Sequence, residues 1–392
     1  MRFTFTPEQA AFRKRVREFI LKERPPEFLL PCEEGREEDE YFAAARRFME
    51  KLAAAGLLVI GWPKEYGGGG GTYMEQAILA EELGYLGYSP ANSTGLAIAG
   101  PAIMRVGTEE QKQKYLTPIA RGEVVWAQGF SEPNSGSDLA SVQTSAIRHG
   151  DEFVIRGQKT FTSRAHWADY IYLLTRTDDA APKHEGLSIF LVDMKSPGIT
   201  LRKLLNFSHA YPQNEIFFDD VRVPAGNLIG TEGQGWELAT ASLSFERVNL
   251  AAVGRQQRLF EEFLEFGETF SIGSRRPLLE PVNRARIARS AAALQAWRLL
   301  CWRNVWLQSK GELPGHEVSL SNFVGKDYRQ EFAEMVIDIL GPYGLLEEAS
   351  PFAPGGGRFL NQYLYSMNKH GQGTAEVQRD IVAKRRLALP RR

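Results

Sequence analysis

Between Val124 and about Gly230 the helical periodicity of this chain stops, and no other feature of the sequence restricts the fold as strongly. The text becomes short runs of β-branched and aromatic residues broken by Gly, Asp and Pro. Phe153-Val154-Ile155, Tyr170-Ile171-Tyr172-Leu173-Leu174, the run from Leu187 to Val192, and Ile216-Phe217-Phe218 read as strands of a β domain. On either side the pattern is helical. Thr6-Pro7-Glu8-Gln9 and Thr72-Tyr73-Met74-Glu75 are capping boxes that each open a helix. Further helices are expected over 39–55, 94–106 and 109–120. After the β text, long helices are expected over 235–265, 281–308 and 320–340, with a last one over 374–387 and a Pro/Gly loop at 351–357. Helices of that length joined by loops predict a four-helix bundle. The expected fold is therefore a multidomain α and β chain. It has an N-terminal α-helical domain (1–123), a middle β domain (124–231) and a C-terminal four-helix-bundle domain (232–392).

Composition narrows the function classes. A chain of 392 residues is too long for one small core, and 43% hydrophobic residues suffice for a sizeable interior. A net charge of −1 points away from nucleic acid and from a membrane surface. There is no secretory h-region and no apolar run long enough to span a bilayer, and Cys32 and Cys301 are the only cysteines. A cytoplasmic location is expected, and the sequons at Asn92 and Asn206 then carry no weight. The six histidines are scattered without His-Glu-x-x-His or Cys-x-x-Cys, so no metal site is expected. No Gly-x-Gly-x-x-Gly follows a strand. The run Gly67 to Gly71 lacks the Lys-Ser/Thr of a phosphate loop and reads as a flexible connector. His166 and Asp169 read as a surface pair, and Trp297, Trp302 and Trp306 as bundle packing; His370 is more simply a structural residue than a group supporting a site.

Two places carry chemistry. The run from Gln128 to Asp138 reads as a strand end breaking into a loop, bent at Pro133 and Gly136, with hydroxyls at Ser131, Ser135 and Ser137. Such a loop either turns backbone N–H groups toward one ligand or is an ordinary polar turn. The second place is Glu246. Trp236, Ala239, Leu243, Leu250 and Val253 share one helix face, and Glu246 falls on it. A carboxylate on an apolar stripe is paired, protonated or functional. Arg255 and Arg286 are its candidate partners.

The first run, Gln-Gly-Phe-Ser-Glu-Pro-Asn-Ser-Gly-Ser-Asp, resembles the Thr-Glu-Pro-x-Ala-Gly-Ser-Asp signature of the acyl-CoA dehydrogenase family, with Ser131 in the Thr place. Gly157 to Ser163 is similar to the family's Gly-Gln-Lys-x-Trp-Ile-Thr, and the likeness covers nearly the whole chain. It implies FAD as cofactor, oxidation of an acyl-CoA to a 2,3-enoyl-CoA, and an electron-transferring flavoprotein as acceptor. It places Gln128, Phe130 and Ser131 in the loop against the flavin, with Ser131 on the pyrimidine edge. Ser137 falls near the phosphates and CoA, Phe161 on the ring, and Ser163 near N5.

Dehydrogenation needs a base for the α proton and a hydride acceptor for the β hydrogen, the flavin N5. In many members the base is a Glu before Gly-Thr; here Gln372 stands there, followed by Gly373 and Thr374, and an amide takes up no proton. A branch that includes the isovaleryl and long-chain enzymes carries the base in a Glu-Arg pair, which Ser244-Phe245-Glu246-Arg247 matches. The resemblance therefore implies Glu246 as base, Ser244, Arg247 and Gly373 at the substrate, Thr374 and Glu376 at the cofactor, and the Gln372 N–H as donor to the thioester carbonyl. One motif departs. The family's Arg-x-x-Phe-Gly, which reaches the FAD diphosphate of a neighbouring subunit, is replaced by Ser271 and Ser274, leaving Arg275 or Arg276 to supply charge. Asp338 stands where a family Gln holds the adenosine end. A homodimer or homotetramer is implied, with heteromeric assembly, a non-catalytic subunit and an O₂-using oxidase as alternatives.

Overall fold

The computed structural model describes residues 4–29, 39–88, 91–207, 213–246, 250–312, 315–367, 371 and 373–390, without the side chains of residues 27, 29 and 243–246. The helices α1 (Pro7–Glu23), α2 (Asp39–Ala54), α3 (Tyr73–Tyr85), α4 (Gly100–Val106) and α5 (Glu109–Ala120) come first. Both capping boxes form: Thr6 accepts from the Gln9 N–H, and Thr72 from that of Glu75, each with the reciprocal bond. Eight strands follow, β1 (Trp126–Gly129), β2 (Ser145–His149), β3 (Glu152–Ser163), β4 (Tyr170–Arg176), β5 (Leu187–Asp193), β6 (Ile199–Leu204), β7 (Gln213–Pro224) and β8 (Leu228–Ile229). The chain ends with α6 (Gly235–Glu246), α7 (Leu250–Gly267), α8 (Pro281–Ser309), α9 (His316–Leu340), α10 (Arg358–Ser366) and α11 (Ala375–Arg385).

One expectation changes here. The helix α10 directly after the Pro/Gly loop was not anticipated; its apolar face spans barely two turns, too short a period to stand out. The helix expected over 94–106 forms, with a π-helical turn, Gly95–Ala99, running without a break into α4.

The chain divides into two compact units, each drawing on the N-terminal helical segment. One comprises Met49–Gly70 and Pro90–Glu246. Its sheet has the order β6-β7-β3-β2-β4-β5-β8, with β1 parallel to β4. Alternate residues of β5 serve different cores. Leu187, Ile189 and Leu191 pack with Trp126, Tyr172 and residues of α4 and α5, while Phe190 and Val192 pack with Phe153, Ile155 and Ile216. Burial on both faces explains why β5 reads as a continuous apolar run. The glycine run is not a loose connector. Gly68 and Gly70 donate to Pro63 and Trp62 carbonyls, and a Cβ on Gly68 would lie 2.1 Å from the Trp62 carbonyl oxygen.

The other unit comprises Met1–Phe48, Gly71–Ser89 and Arg247–Arg392. Its core is built from Leu250, Val253, Phe260 and Phe263 of α7, Trp297 and Cys301 of α8, and Phe332 and Val336 of α9. Helices α3 and α7 meet backbone to backbone: a Cβ on Gly84 would lie 2.0 Å from the Ala251 carbonyl oxygen. Buried Glu81 and Glu82 on α3 are each paired, Glu81 with Arg298 at 2.6 Å and Glu82 with Arg17 at 2.6 Å. Trp297 packs the core as expected and Trp302 lies partly against it, bonding Glu81, but Trp306 is 38% exposed.

Candidate active site

The loop after β1 is held by a buried ion pair. Glu132 and Ser135 exchange backbone bonds of 2.9 and 3.1 Å, closing a tight turn over Pro133 and Asn134. Two of the N–H groups that could have met an anion are thus spent within the loop. The Glu132 carboxylate, 8% exposed, accepts from the backbone N–H of Gln143 (2.6 Å) and Thr144 (2.9 Å) and from Lys159 Nζ (2.8 Å). Lys159, fully buried, also donates to the Phe130 carbonyl at 3.1 Å, and the Thr160 N–H donates to the Ser131 carbonyl at 2.9 Å. Burial pushes the Glu132 carboxyl up, but Lys159 and the hydrogen bonds bring it below its ordinary value. Burial takes the Lys159 ammonium down to about 8, against the pull of Glu132. The result clips Phe130, Ser131 and Glu132 onto β3.

Immediately beyond the clip, β3 carries a bulge. Lys159 pairs with Ile216 and Thr162 with Asn214, so β3 has one extra residue there. Phe161 takes φ 54°, a conformation unfavourable for a bulky side chain, and stands 62% exposed. Ser163 points to the same open side, while Thr160 and Thr162 are buried. Asn214 backs this segment, donating to the Thr162 carbonyl at 3.0 Å and meeting His166 Nδ1 at 3.0 Å. Asp169 accepts the Val125 N–H at 2.9 Å, so both members of the expected His166–Asp169 pair bond elsewhere.

Each residue expected at the site has its own setting. Gln128, on β1, carries a buried Nε2 with no partner among the described residues. Phe130 is buried with its ring 6.0 Å from that of Tyr172, and Ser137 is exposed on the loop. Phe130, Ser131, Phe161 and Ser163 are brought together by the clip and the bulge. In the other unit, Gly373 takes φ 79°, Thr374 caps α11 by accepting the Val377 N–H at 3.1 Å, and Glu376 lies exposed in the first turn of α11. Lys326, buried on α9, donates to the Gly371 carbonyl at 2.6 Å and to the Gly373 carbonyl, pinning the backbone on both sides of position 372. Arg275 is held by Glu280 at 2.8 Å, and Arg276 donates to the Glu268 carbonyl. Asp338 is paired with Arg286 at 2.8 Å, which engages one of the two arginines considered for Glu246. Glu246 and Ser244 lie in α6, with side chains outside the description; Arg247, His370 and Gln372 lie outside the described residues.

Sequence reading assigned no role to Glu132, Lys159 or Lys326. Glu132 and Lys159 stood inside the two motifs, but a pairing across 27 residues leaves no periodic trace, and nothing in the text marks Lys326. No group of three or more His, Cys, Asp or Glu that could hold a metal occurs among the described residues, and no described helix is long and apolar enough to cross a membrane.

Models of the acyl-CoA dehydrogenase N-terminal, middle and C-terminal domains match residues 6–123, 127–221 and 233–387. The chain belongs to the acyl-CoA dehydrogenase family. It is an oxidoreductase of that family, whose members use FAD. The acyl-CoA dehydrogenase FadE29 of Mycobacterium tuberculosis is 33% identical over 394 residues, 98% of each chain. IpdE1 of Mycolicibacterium smegmatis is 35% identical over 91% of each. Among solved structures, the Tcur3481-Tcur3483 steroid ACAD superposes with a TM-score of 0.90 at 33% identity over the full length of both chains. The ChsE4-ChsE5 complex from Mycobacterium tuberculosis gives 0.88 at 31%, also over both full lengths.

Proposed function

We propose that this acyl-CoA dehydrogenase binds FAD and removes the α and β hydrogens of a bulky, ring-bearing acyl-CoA, forming the 2,3-enoyl-CoA. The domain limits read from the sequence, after 123 and after 231, belong to this reading. The observation that carries it is the open side of β3, where Phe161 is held outward at φ 54° beside the clipped loop. An exposed aromatic kept in a costly conformation is a surface prepared for a flat ligand. The unpartnered Gln128 Nε2 is a donor suited to the acceptor-rich edge of a flavin. Gln128, Phe130, Ser131, Phe161 and Ser163 would hold the ring, Ser137 would face phosphates, and Thr374 and Glu376 would complete the cofactor site. FAD, when bound, supplies the acceptor for the β hydride and passes electrons to an electron-transferring flavoprotein.

The remaining work falls to the chain. Glu246, at the end of α6, takes the α proton. Ser244, Arg247 and Gly373 line the pantetheine. The N–H of Gln372 polarises the thioester carbonyl, a role supported by the way Lys326 pins both flanking carbonyls. Glu246→Gln should keep bound flavin and lose turnover by roughly 10²–10⁴-fold, the usual size of a general-base contribution. A mutant with near-normal turnover would remove Glu246 from this role.

One observation favours heteromeric over homomeric assembly. Ser271 and Ser274 replace the diphosphate-binding pair, and Arg275 is committed to Glu280. Two of the solved relatives are named by two components, and the ring-bearing substrate is proposed from the steroid ACAD among them. We infer that a paired homologous subunit supplies the missing charge, both acting in the cytoplasm. Purified alone, the chain should bind FAD weakly and regain it with its partner; a stoichiometrically yellow homo-oligomer would refute the pairing.

A further inference from the structure

Lys326 on α9 is only 4% exposed, and its ammonium donates to the main-chain carbonyl of Gly371 at 2.6 Å and to that of Gly373. The stretch of chain it grips has glycine on either side of residue 372, and Gly373 takes φ 79°. Glycine opens both signs of φ at little steric cost, so a peptide set between two glycines turns over easily. The chain that follows is anchored. Thr374 caps α11 by accepting the Val377 N–H at 3.1 Å. Arg379 of α11 pairs with Asp327 of α9 and lies 5.3 Å from the centre of the Phe323 ring. Lys326 therefore grips the stretch that its glycines would otherwise leave loose.

Peptide geometry converts this grip into a direction. The Gly371 carbonyl shares a plane with the N–H of residue 372, and a trans peptide sets the two antiparallel. With that carbonyl on Lys326, the N–H is directed away from α9. Turning the peptide over would break the bond to Gly371 and take an acceptor from a buried charge, which is costly. The bond to Gly373 holds the chain from the other side. Charge adds a second effect. A cation on the carbonyl oxygen draws electron density through the amide and makes its N–H a stronger donor, as linked hydrogen bonds do in a low dielectric. With Gln in place of a carboxylate at 372, this segment contributes through its main chain. A main-chain donor is only as good as the orientation of its peptide.

We propose that Lys326 is a positioning residue for the dehydrogenation: it fixes the 371–372 peptide so that the Gln372 N–H faces the thioester carbonyl oxygen, and its charge strengthens that N–H. The proposal rests on the dehydrogenase reading. Lys326 itself touches no substrate and moves no proton. The α proton still passes to Glu246 and the β hydride to the flavin. What Lys326 changes is the acidity of the α carbon, because the negative charge that gathers on the thioester oxygen is better held.

Lys326→Gln and Lys326→Met test this, with FAD in excess. Gln keeps an N–H donor and loses the charge; Met loses both. The substrate is 3-phenylpropionyl-CoA, or whichever member of a panel of straight-chain and ring-bearing acyl-CoAs bleaches the flavin fastest. Loss of a whole oxyanion donor costs about 10²–10³-fold in kcat, so loss of its support should cost about 10- to 100-fold in Lys326→Met and less in Lys326→Gln. KM should change little. The deciding readout is the infrared stretch of the thioester carbonyl in the bound enoyl product, cinnamoyl-CoA for that substrate, labelled with ¹³C at that carbon. The wild type should lower this frequency below that of the free thioester. Lys326→Gln should return it part of the way and Lys326→Met further. A merely structural role would reduce melting temperature or flavin retention and leave the bound carbonyl unmoved. An unmoved carbonyl in both variants, or a kcat in Lys326→Met within about threefold of the wild type, overturns the proposal. If Lys326→Met does not fold, Lys326→Gln decides; if neither folds, Lys326 is a structural prop and the proposal fails. If the wild type is bleached by no member of the panel, the dehydrogenase reading falls and takes this proposal with it.

Discussion

Lys159→Met isolates the clip that holds the loop after β1, the loop proposed to meet the flavin. The ammonium is fully buried, and removing it leaves the Glu132 carboxylate 8% exposed without its counter-charge. Breaking a buried pair from one side costs about 3–5 kcal/mol. Glu132 keeps the Gln143 and Thr144 N–H bonds, so the loss should lie at the lower end, about 3 kcal/mol. Urea unfolding followed by tryptophan fluorescence reads this, and flavin binding should weaken in parallel because Phe130 and Ser131 lose their anchor. The pH dependence separates the two partners. Lys159 is lowered from 10.5 to about 8, so its folded site disfavours the charged form. The stability linked to it is full above the unfolded value and is lost as pH falls through about 8. The wild type should therefore gain stability relative to Lys159→Met between about pH 8 and 10.5, by roughly 3 kcal/mol. Glu132 is lowered, so its contribution is present above the ordinary carboxylate range and lost as pH falls through its folded value. In Lys159→Met that acid loss should move to higher pH, because burial is then less opposed. A stability change below about 0.5 kcal/mol, with the same pH profile as the wild type, would refute the reasoning.

Phe161→Gly should leave stability unchanged or raise it by about 1 kcal/mol. It relieves a positive φ, and an exposed ring buries little in the unliganded fold. The same change should weaken FAD binding more than tenfold, and comparing melting with flavin retention checks both halves. Gly84→Ala places a methyl against the Ala251 backbone, which cannot yield as a side chain can. Overpacking of about 3 kcal/mol less about 1 kcal/mol of helix propensity predicts a net loss near 2 kcal/mol, measured by thermal or urea unfolding. A stabilised variant would mean that α3 and α7 are not in backbone contact.

The alternation of helical and strand text, the two capping boxes and the two loop motifs were legible because each is local. A cap needs residues three apart, a strand needs a period of two, and Thr6, Thr72 and the β5 run behave as that chemistry requires. The expectations at 67–71 and 358–366 missed for a related reason. Gly68 is fixed by Trp62, and α10 is shorter than the window over which a helical period becomes distinct. The sequence thus carried the order of elements and, through its resemblance, the family and the candidacy of Glu246 as base. Tertiary structure decided what no spacing encodes. It joined Glu132 to Lys159, turned Phe161 outward through a bulge, tied Arg275 to Glu280 and set Lys326 on the Gly371 and Gly373 carbonyls. The physical reason is that charge pairing and burial are properties of position in space, and positions far apart in the chain meet only after the backbone has folded.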